Sequence, residues 1–304
     1  MDCSPPPEPR VHEPVLREEV LRLLSPRPGG VVIDATLGAG GHAREILKRI
    51  GARGRLIGID QDHEALERAK EYLKAFPQAE IIHKNFFQME EILSSLNLKA
   101  VDAVLLDVGL STEQLEEARR GFSFLKDGPL DMRMDLEGPV RARDLINDLS
   151  QGELEKIFRN YGEERFAGRI ARAIVRQRES RPVGTTAELV EIIQKAVPRR
   201  FHFGKLHPAT RVFQALRIAV NRELEALGSA LPQALQVLGP GGRLAVISFH
   251  SLEDRIVKHK FREWAGAQQV KILTPKPMGP TAEEIERNPR SRSAKLRAIE
   301  KLEG

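Results

Sequence analysis

Cysteine is nearly missing from this 304-residue chain, which holds a single one, Cys3. No disulfide can close within the chain and no thiolate cluster can hold a metal, a pattern that fits a reducing compartment. Long apolar runs are also lacking. None approaches the roughly 20 residues that a membrane-crossing helix needs, so no membrane partner is expected. The opening MDCSPPPEPR is Pro-rich and polar where a secretory leader would be apolar. Residues 1–11 are therefore expected to form a disordered tail, and the protein to be cytoplasmic.

What is present is ordinary for a globular protein: 41% hydrophobic and 30% charged residues, in a chain long enough for one large domain or two smaller ones. Lys and Arg outnumber Asp and Glu by 48 to 43, a formal charge of +5. That balance is mild support for a polyanionic partner, and the distribution of the charges decides more than their sum.

Helical and strand periods alternate from about Val11. EPVLREEVLRLL reads as an amphipathic helix; VVIDAT, RLIGID, AEIIHKNF and AVDAVLLDV read as short apolar strands, with helices between them from about His42, Asp62 and Met89. Continuous apolar strands separated by helices predict a buried parallel sheet covered on both faces. After Val108 the rhythm changes. Gly109 to about Ala209 contains a Gly/Pro/Asp-rich loop, FSFLKDGPLDMRMD, and at least three helical patterns but no convincing strand. One helix starts at a capping box, Thr185 with Glu188, and stops before Pro198. The α/β pattern then resumes with a long helix carrying Phe213, Leu216, Val220, Leu224 and Leu227, a Gly-Pro-Gly-Gly turn, the strand RLAVISF, a helix from about Leu252 to Trp264, and strands QVKILT and AKLRAIEK. The prediction is a Rossmann-like α/β fold with a seven-stranded, doubly wound sheet in residues 12–109 and 210–304, interrupted by a helical domain in 110–209.

The loop GAGGHA follows a strand and opens a helix, which suits close approach of a ligand and an anionic group at the helix start. Gly38, Gly40 and Ala43 fit a dinucleotide fingerprint, and Asp60 ends the next strand where it could bind ribose hydroxyls. A nicotinamide dehydrogenase is one reading. Two features favour S-adenosylmethionine. Asp34 would repel a pyrophosphate but suits a cationic ligand, and LGPGGRLAVISF with two strands after it resembles the later half of methyltransferases. A non-catalytic RNA-binding protein on the same fold is a third reading, which the intact GAGGH loop and Asp60 oppose.

The motifs HEPVL, DATLGAGGH, LLDVGLS, RGFSF with DGPLDMRMD, YGEERFAGRIARAI, HPATRVFQALRIAVN, SFHSLEDRIVK and NPRSRSAKLR run from His12 to Arg297. Together they resemble the ribosomal RNA small subunit methyltransferase H family. The resemblance implies S-adenosyl-L-methionine as cofactor, 16S ribosomal RNA of the small subunit as partner, and N4 of a P-site cytidine in the decoding region as target. It implies cofactor-binding roles for Gly40, Gly41, His42, Asp60, Phe86, beside the adenine, and Gln114. Phe86 could instead be a core ring, and Gln114 a solvent-facing residue at a helix start. No obligate protein partner is evident; a homodimer is compatible with the sequence.

Asp107 ends the fourth strand, at the edge where open α/β sheets bind ligands. It is the candidate catalytic residue, accepting an N–H bond from the attacked amine, or else a residue of the cofactor's methionine end. The residues after it, Val108-Gly109-Leu110-Ser111, lack the aromatic that often stacks on a target base. Phe122 and Phe124 are the candidates to replace it, with ordinary packing as the alternative. Arg165, Arg169, Arg172 and Arg176 are spaced to share one helical face. With Arg199, Arg200 and Lys205 in PRRFHFGK they suit RNA phosphates, unless Glu163, Glu164 and Glu179 neutralise them. No metal is expected: His202, His207, His250 and His259 have no partner at ligand spacing, and Asp127, Asp131 and Asp135 lack calcium-loop spacing.

Overall fold

The computed structural model describes residues 14–202 and 206–303. The tail expected over 1–11 and the basic Lys205 lie outside them. The chain divides into two compact units, Met1–Gly109 with Ala226–Gly304, and Leu110–Glu225.

In chain order the first unit runs α1 (Arg17–Leu24), β1 (Val31–Asp34), α2 (Gly41–Ile50), β2 (Arg55–Asp60), α3 (His63–Tyr72), β3 (Ala79–His83), α4 (Met89–Ser95) and β4 (Val101–Asp107). The helical unit follows with α5 (Thr112–Glu116), α6 (Ala142–Asp148), α7 (Gln151–Gly162), α8 (Ala167–Ser180), α9 (Thr186–Ala196) and α10 (Thr210–Asn221). Helix α11 (Glu223–Val237) leads back to β5 (Leu238–Ser248), α12 (Ser251–Gly266), β6 (Val270–Ile272), α13 (Ala282–Arg287) and β7 (Lys295–Lys301).

The seven strands form one sheet in the order β3-β2-β1-β4-β5-β7-β6. The first five are parallel; β7 runs antiparallel between β5 and β6. Alternation along β4 shows why the strands read as continuous apolar runs. Ala103 and Leu105 join the core built with Val20 of α1 and Leu47 of α2, whereas Val104 and Leu106 join the core with Leu231 of α11 and Phe261 of α12. Both faces are buried there, so the run Ala103 to Leu106 is apolar throughout. The order of strands reverses between β1 and β4, and ligands of such sheets bind at that switch point, beyond the carboxyl ends.

Four boundaries differ from the sequence expectation. Helix α1 starts only at Arg17, because Leu16 is left-handed (φ 54°), fully buried, and donates its N–H to Glu284 Oε1 at 2.7 Å. Strand β3 ends at His83, short of Phe86. The long helix after Ala209 is two helices broken at Arg222 (φ 50°), where Asn221 turns its side chain away to donate to the Met132 carbonyl and accept from the Met134 N–H, both at 2.7 Å. Consequently α10 packs in the helical unit through Val212, Phe213 and Leu216, and the second boundary falls at 225/226, not 209/210. Finally, β5 begins at Leu238 and absorbs the Gly-Pro-Gly-Gly segment opposite an irregularity between Val101 and Ala103.

The helical unit has its own core, centred on Leu154, Phe158, Ile170, Ile174, Leu189 and Leu216. The predicted box at Thr185 is present: its hydroxyl accepts from Glu188 N–H at 3.3 Å, and Val197 turns extended (ψ 133°) before Pro198. The aspartates of the loop are occupied locally. Asp131 pairs bidentately with Arg133 at 2.9 Å, Asp127 accepts from Ala187 N–H at 3.0 Å, and Asp135 accepts from Glu137 N–H at 2.9 Å.

Candidate active site

The glycine loop is held as an extension of the sheet. Ala35 N–H donates to Leu105 O and Leu37 N–H to Ile59 O, each at 2.9 Å, so the chain beyond β1 stays between the ends of its two neighbours. Gly38 N–H then donates to Asp60 Oδ2 at 2.8 Å. Gly40 caps α2 at φ 90°, a conformation open to glycine, and a Cβ there would meet Leu73 at 3.1 Å. Gly41 opens the helix and His42 occupies its first turn, 7% exposed.

Three strand ends thus deliver three carboxylates to one edge: Asp34 from β1, Asp60 from β2 and Asp107 from β4. The Asp107 backbone is fixed by a 2.6 Å bond from its N–H to Thr36 Oγ1. Burial, then repulsion from Asp34 and Glu253, push the Asp107 carboxyl up to about 8. Burial likewise raises Asp34 to about 7, against a bond from Thr36 N–H and with added repulsion from Asp60. Asp60 is raised chiefly by burial, against the N–H groups of Asp62 and Gly38 that its oxygens accept. His42 is held neutral, down to about 4, by burial, although the Val15 carbonyl accepts a bond from its ring. Its Nε2 faces Asp107 Oδ2 at 3.7 Å. Asp34 Oδ2, Asp107 Oδ1 and His42 Nε2 are all buried without a hydrogen-bond partner among the described residues. Buried acceptors in that state are costly unless a ligand completes them.

Glu253 was not singled out by sequence reasoning. It closes a capping box with His250 at the start of α12, its Oε2 accepting the N–H groups of Phe249 at 2.8 Å and His250 at 3.2 Å. His250-Ser-Leu-Glu253 directly after an apolar strand was the available signal. Contrary to the sequence expectation, His250 does have a carboxylate neighbour: Glu253 Oε1 lies 3.1 Å from its Nε2. Thr36 had no sequence signal. Gly109, at φ 149°, leaves β4 where a Cβ would press on the Phe249 ring at 2.9 Å.

Phe86 lies past β3 in a short 3-10 turn, Phe86–Gln88, capped by Asn85, and is half-buried against the sheet core. Gln114 belongs to the helical unit. It is buried, not solvent-facing, and forms a capping box with Ser111: Ser111 Oγ accepts its N–H and its Oε1 accepts the Ser111 N–H, both at 3.1 Å.

Among the RNA candidates, Phe122 is only 6% exposed and serves the helical core, so packing explains it and base stacking does not. Phe124 is half-buried, stacked on His207 at 4.8 Å and edge-on to Phe213 at 5.1 Å. Arg165 precedes α8 and is not on the helix. Its guanidinium lies over the rings of Phe166 and Phe201, at 4.7 and 4.3 Å, a cation–π arrangement. Arg169, Arg172 and Arg176 do share an exposed face of α8, and no ion pair or hydrogen bond engages them among the described residues. Glu164 does not neutralise them: it is buried and accepts the Phe166 N–H at 2.8 Å. Arg199 and Arg200 are exposed in a 3-10 turn, with Arg200 over the Phe201 ring at 4.9 Å.

The family model of the MraW methylase family matches residues 10–302 of the chain. The chain belongs to that family. Among curated relatives, the ribosomal RNA small subunit methyltransferase H of Pelobacter propionicus is 53% identical over 308 residues, covering 96% of this chain and 98% of that protein. The protein of the same name from Geobacter sulfurreducens is 51% identical over 307 residues, covering 96% and 99%. An rRNA methylase structure from Streptococcus thermophilus is similar with a TM-score of 0.44 at 11% identity, covering 94% of each chain. Family membership places a methylase on a sheet whose switch point carries the three carboxylates. Among the described residues, no helix is long and apolar enough to cross a membrane.

Proposed function

We propose that the chain is an S-adenosyl-L-methionine-dependent methyltransferase of small-subunit ribosomal RNA, acting on N4 of a cytidine in the P-site region of 16S RNA. The observation that carries the cofactor is the pair of buried, partnerless oxygens on Asp34 and Asp107 beside the glycine loop. A fixed positive charge fits them; a pyrophosphate does not. The names of the relatives support small-subunit ribosomal RNA as the substrate; the cytidine and its N4 position are what the motif resemblance implies.

S-adenosylmethionine supplies, when bound, a methyl group already activated by the sulfonium. The chain has to hold and align it. Gly40, Gly41 and His42 give close access to the backbone, the Asp60 carboxylate suits the ribose hydroxyls and Phe86 the adenine. Asp107 can accept an N–H bond from the cytosine amine, whose lone pair is delocalised into the ring, and so concentrate density on nitrogen. In the helical unit, Arg169, Arg172, Arg176, Arg199 and Arg200 suit the RNA backbone. The protein works in the cytoplasm, where its substrate is. Mass-spectrometric mapping of methylated nucleosides in small-subunit RNA, from cells with and without this protein, tests the reading. Loss of one N4-methylated cytidine is expected, and identical maps would refute it.

A further inference from the structure

Methylation of an amine leaves a proton to be disposed of. The bond from N4 to the methyl carbon forms, the bond from that carbon to sulfur breaks with its pair going to sulfur, and N4–H breaks with its pair staying on nitrogen. The proton passes to the group that accepts the N–H bond, which is Asp107 if the chain is a base methyltransferase. A carboxylate in water is a weak base, so what makes one effective in a site is its surroundings. The titratable groups that face Asp107 among the described residues are Asp34 from β1, His42 from α2 and Glu253 from α12.

For Glu253 the structural task does not explain the charge. It closes a capping box with His250 at the start of α12, where Oε2 accepts the N–H groups of Phe249 and His250 at 2.8 and 3.2 Å. An amide oxygen serves that purpose as well, and this chain uses one, since Gln114 closes the box with Ser111. Where glutamates close boxes in the helical unit they keep access to water: Glu153 is exposed and Glu188 half-buried. Glu253 is 2% exposed. Burying a carboxylate where a neutral amide would fit is costly. Nor is the charge compensated. The next residue, Asp254, takes Arg297 at 2.6 Å and Lys295 at 3.5 Å. Among the described residues Glu253 has no lysine or arginine partner, and His250 Nε2 stands 3.1 Å from its Oε1 without a hydrogen bond.

The fold sets this charge beside Asp107. Strands β4 and β5 are neighbours, with Asp107 in register with Ile247 and Val108 N–H donating to the Ile247 carbonyl at 3.0 Å. Glu253 is bonded to Phe249 and His250, the two residues that directly follow β5. The Phe249 ring also closes over Gly109, two residues past Asp107. Repulsion from Glu253 therefore reaches the Asp107 carboxyl. Of the other two groups, His42 is neutral, and Asp34, with its carboxyl near 7, is charged only in part at neutral pH. Once the methyl has left sulfur, the positive charge of the sulfonium is gone, and repulsion from a fixed carboxylate acts on Asp107 unopposed.

We propose that Glu253 is a positioning residue of methyl transfer, whose buried negative charge holds Asp107 as the acceptor of the proton that leaves the target amine. It acts through Asp107 and touches no reacting atom. The role in transfer rests on the reading of the chain as a base methyltransferase; the link between the two carboxylates does not.

The test uses full-length Glu253→Gln, which keeps the capping oxygen and removes the charge. Carbon NMR of ligand-free protein, isotope-labelled at the aspartate carboxyls, follows Asp107 directly, its signal identified by its absence from Asp107→Asn. The wild-type signal should titrate at about 8, and that of Glu253→Gln at lower pH, because one repelling charge is gone. Single-turnover methylation is then measured on small ribosomal subunits from cells that lack the protein, at saturating S-adenosylmethionine. On the alkaline plateau of its pH profile the rate should fall by about threefold to tenfold, a fraction of what a general base contributes. In an Asp107→Asn background the same substitution should lower the rate no further. An Asp107 titration that stays in place overturns the proposal. So does a shifted titration with an unaltered plateau rate, and so does loss of the fold in Glu253→Gln, which would make the carboxylate a structural necessity. If the wild-type protein leaves the subunits unmethylated, the base-methyltransferase reading falls and takes the role in transfer with it, while the titration reports on the carboxylate pair separately.

Discussion

Nε2 of His42 lies 3.7 Å from Oδ2 of Asp107, so a neutral imidazole faces a carboxyl whose pKa stands near 8. The ligand-free protein thus keeps an acid at the switch point that is poorly served by its surroundings. Its raised pKa gives stability that is fully present below the unfolded value of 3.8 and is lost as pH rises through about 8. Asp107→Asn is therefore expected to stabilise the ligand-free protein at pH 9 by roughly 1–2 kcal/mol, with the gain vanishing near pH 4. Urea denaturation across that range checks it. Methyl transfer should fall by about a hundredfold. An unchanged single-turnover rate at saturating cofactor would make Asp107 a binding residue only.

Cofactor binding should release a proton. At pH 7 Asp107 is mostly protonated and Asp34 about half so. A cation placed beside them lowers both pKa values. Calorimetry at pH 7 in two buffers of different ionisation heat should give different apparent enthalpies, and at pH 9 the difference should shrink. Equal enthalpies at pH 7 would remove the cofactor's charge from this edge.

Asp60→Ala should weaken S-adenosylmethionine by about 1.5–3 kcal/mol, the scale of lost hydrogen bonds to a charged group. Because Asp60 also accepts the N–H groups of Gly38 and Asp62, part of the loss is loop disorder. Asp60→Asn keeps acceptor capacity on one oxygen and should lose less. A dissociation constant unmoved in a folded Asp60→Ala protein would place the ribose elsewhere.

Replacing Arg169 and Arg172 together by Gln should flatten the salt dependence of RNA binding. Each lost phosphate contact removes about 0.7–0.9 from the slope of log affinity against log salt. Cofactor affinity should stay at the wild-type value. Arg165→Gln behaves differently: it removes a cation from two aromatic rings, so it should lower the melting temperature and leave the slope alone. A slope equal to wild type in the double variant would defeat the phosphate role.

Much of the α/β unit was legible because its strands are buried on both faces and its glycine loop sits between two of them. Asp34, Asp60 and Asp107 end their strands in sequence as in space. Glu253 and Thr36 were not legible as site residues, since their approach to Asp107 depends on β4 lying between β1 and β5. In the helical unit periodicity misled at two places. Arg165 keeps the spacing of the stripe although the helix begins after it, and Phe213 to Leu227 keep a helical period across the break at Arg222. A period records which residues could share a face. The tertiary bond that stops a helix, such as Asn221 to Met132, leaves it untouched.

The adjacency of β4 and β5 has a kinetic consequence. Val104 pairs with Leu244, yet the whole helical unit intervenes in the chain. Closing so long a loop between unstructured ends is entropically costly and slow. A compact insert that condenses early brings its two ends closer together and shortens the effective loop. Helix-rich segments with local contacts are the ones that condense fast. The helical unit should then act as an internal folding template for the central sheet. Phe158→Ala, which opens a cavity in the helical core alone, is expected to slow the formation of the sheet as well as to hasten unfolding. Refolding rates with an unchanged folding limb would show instead that the strands find each other unaided.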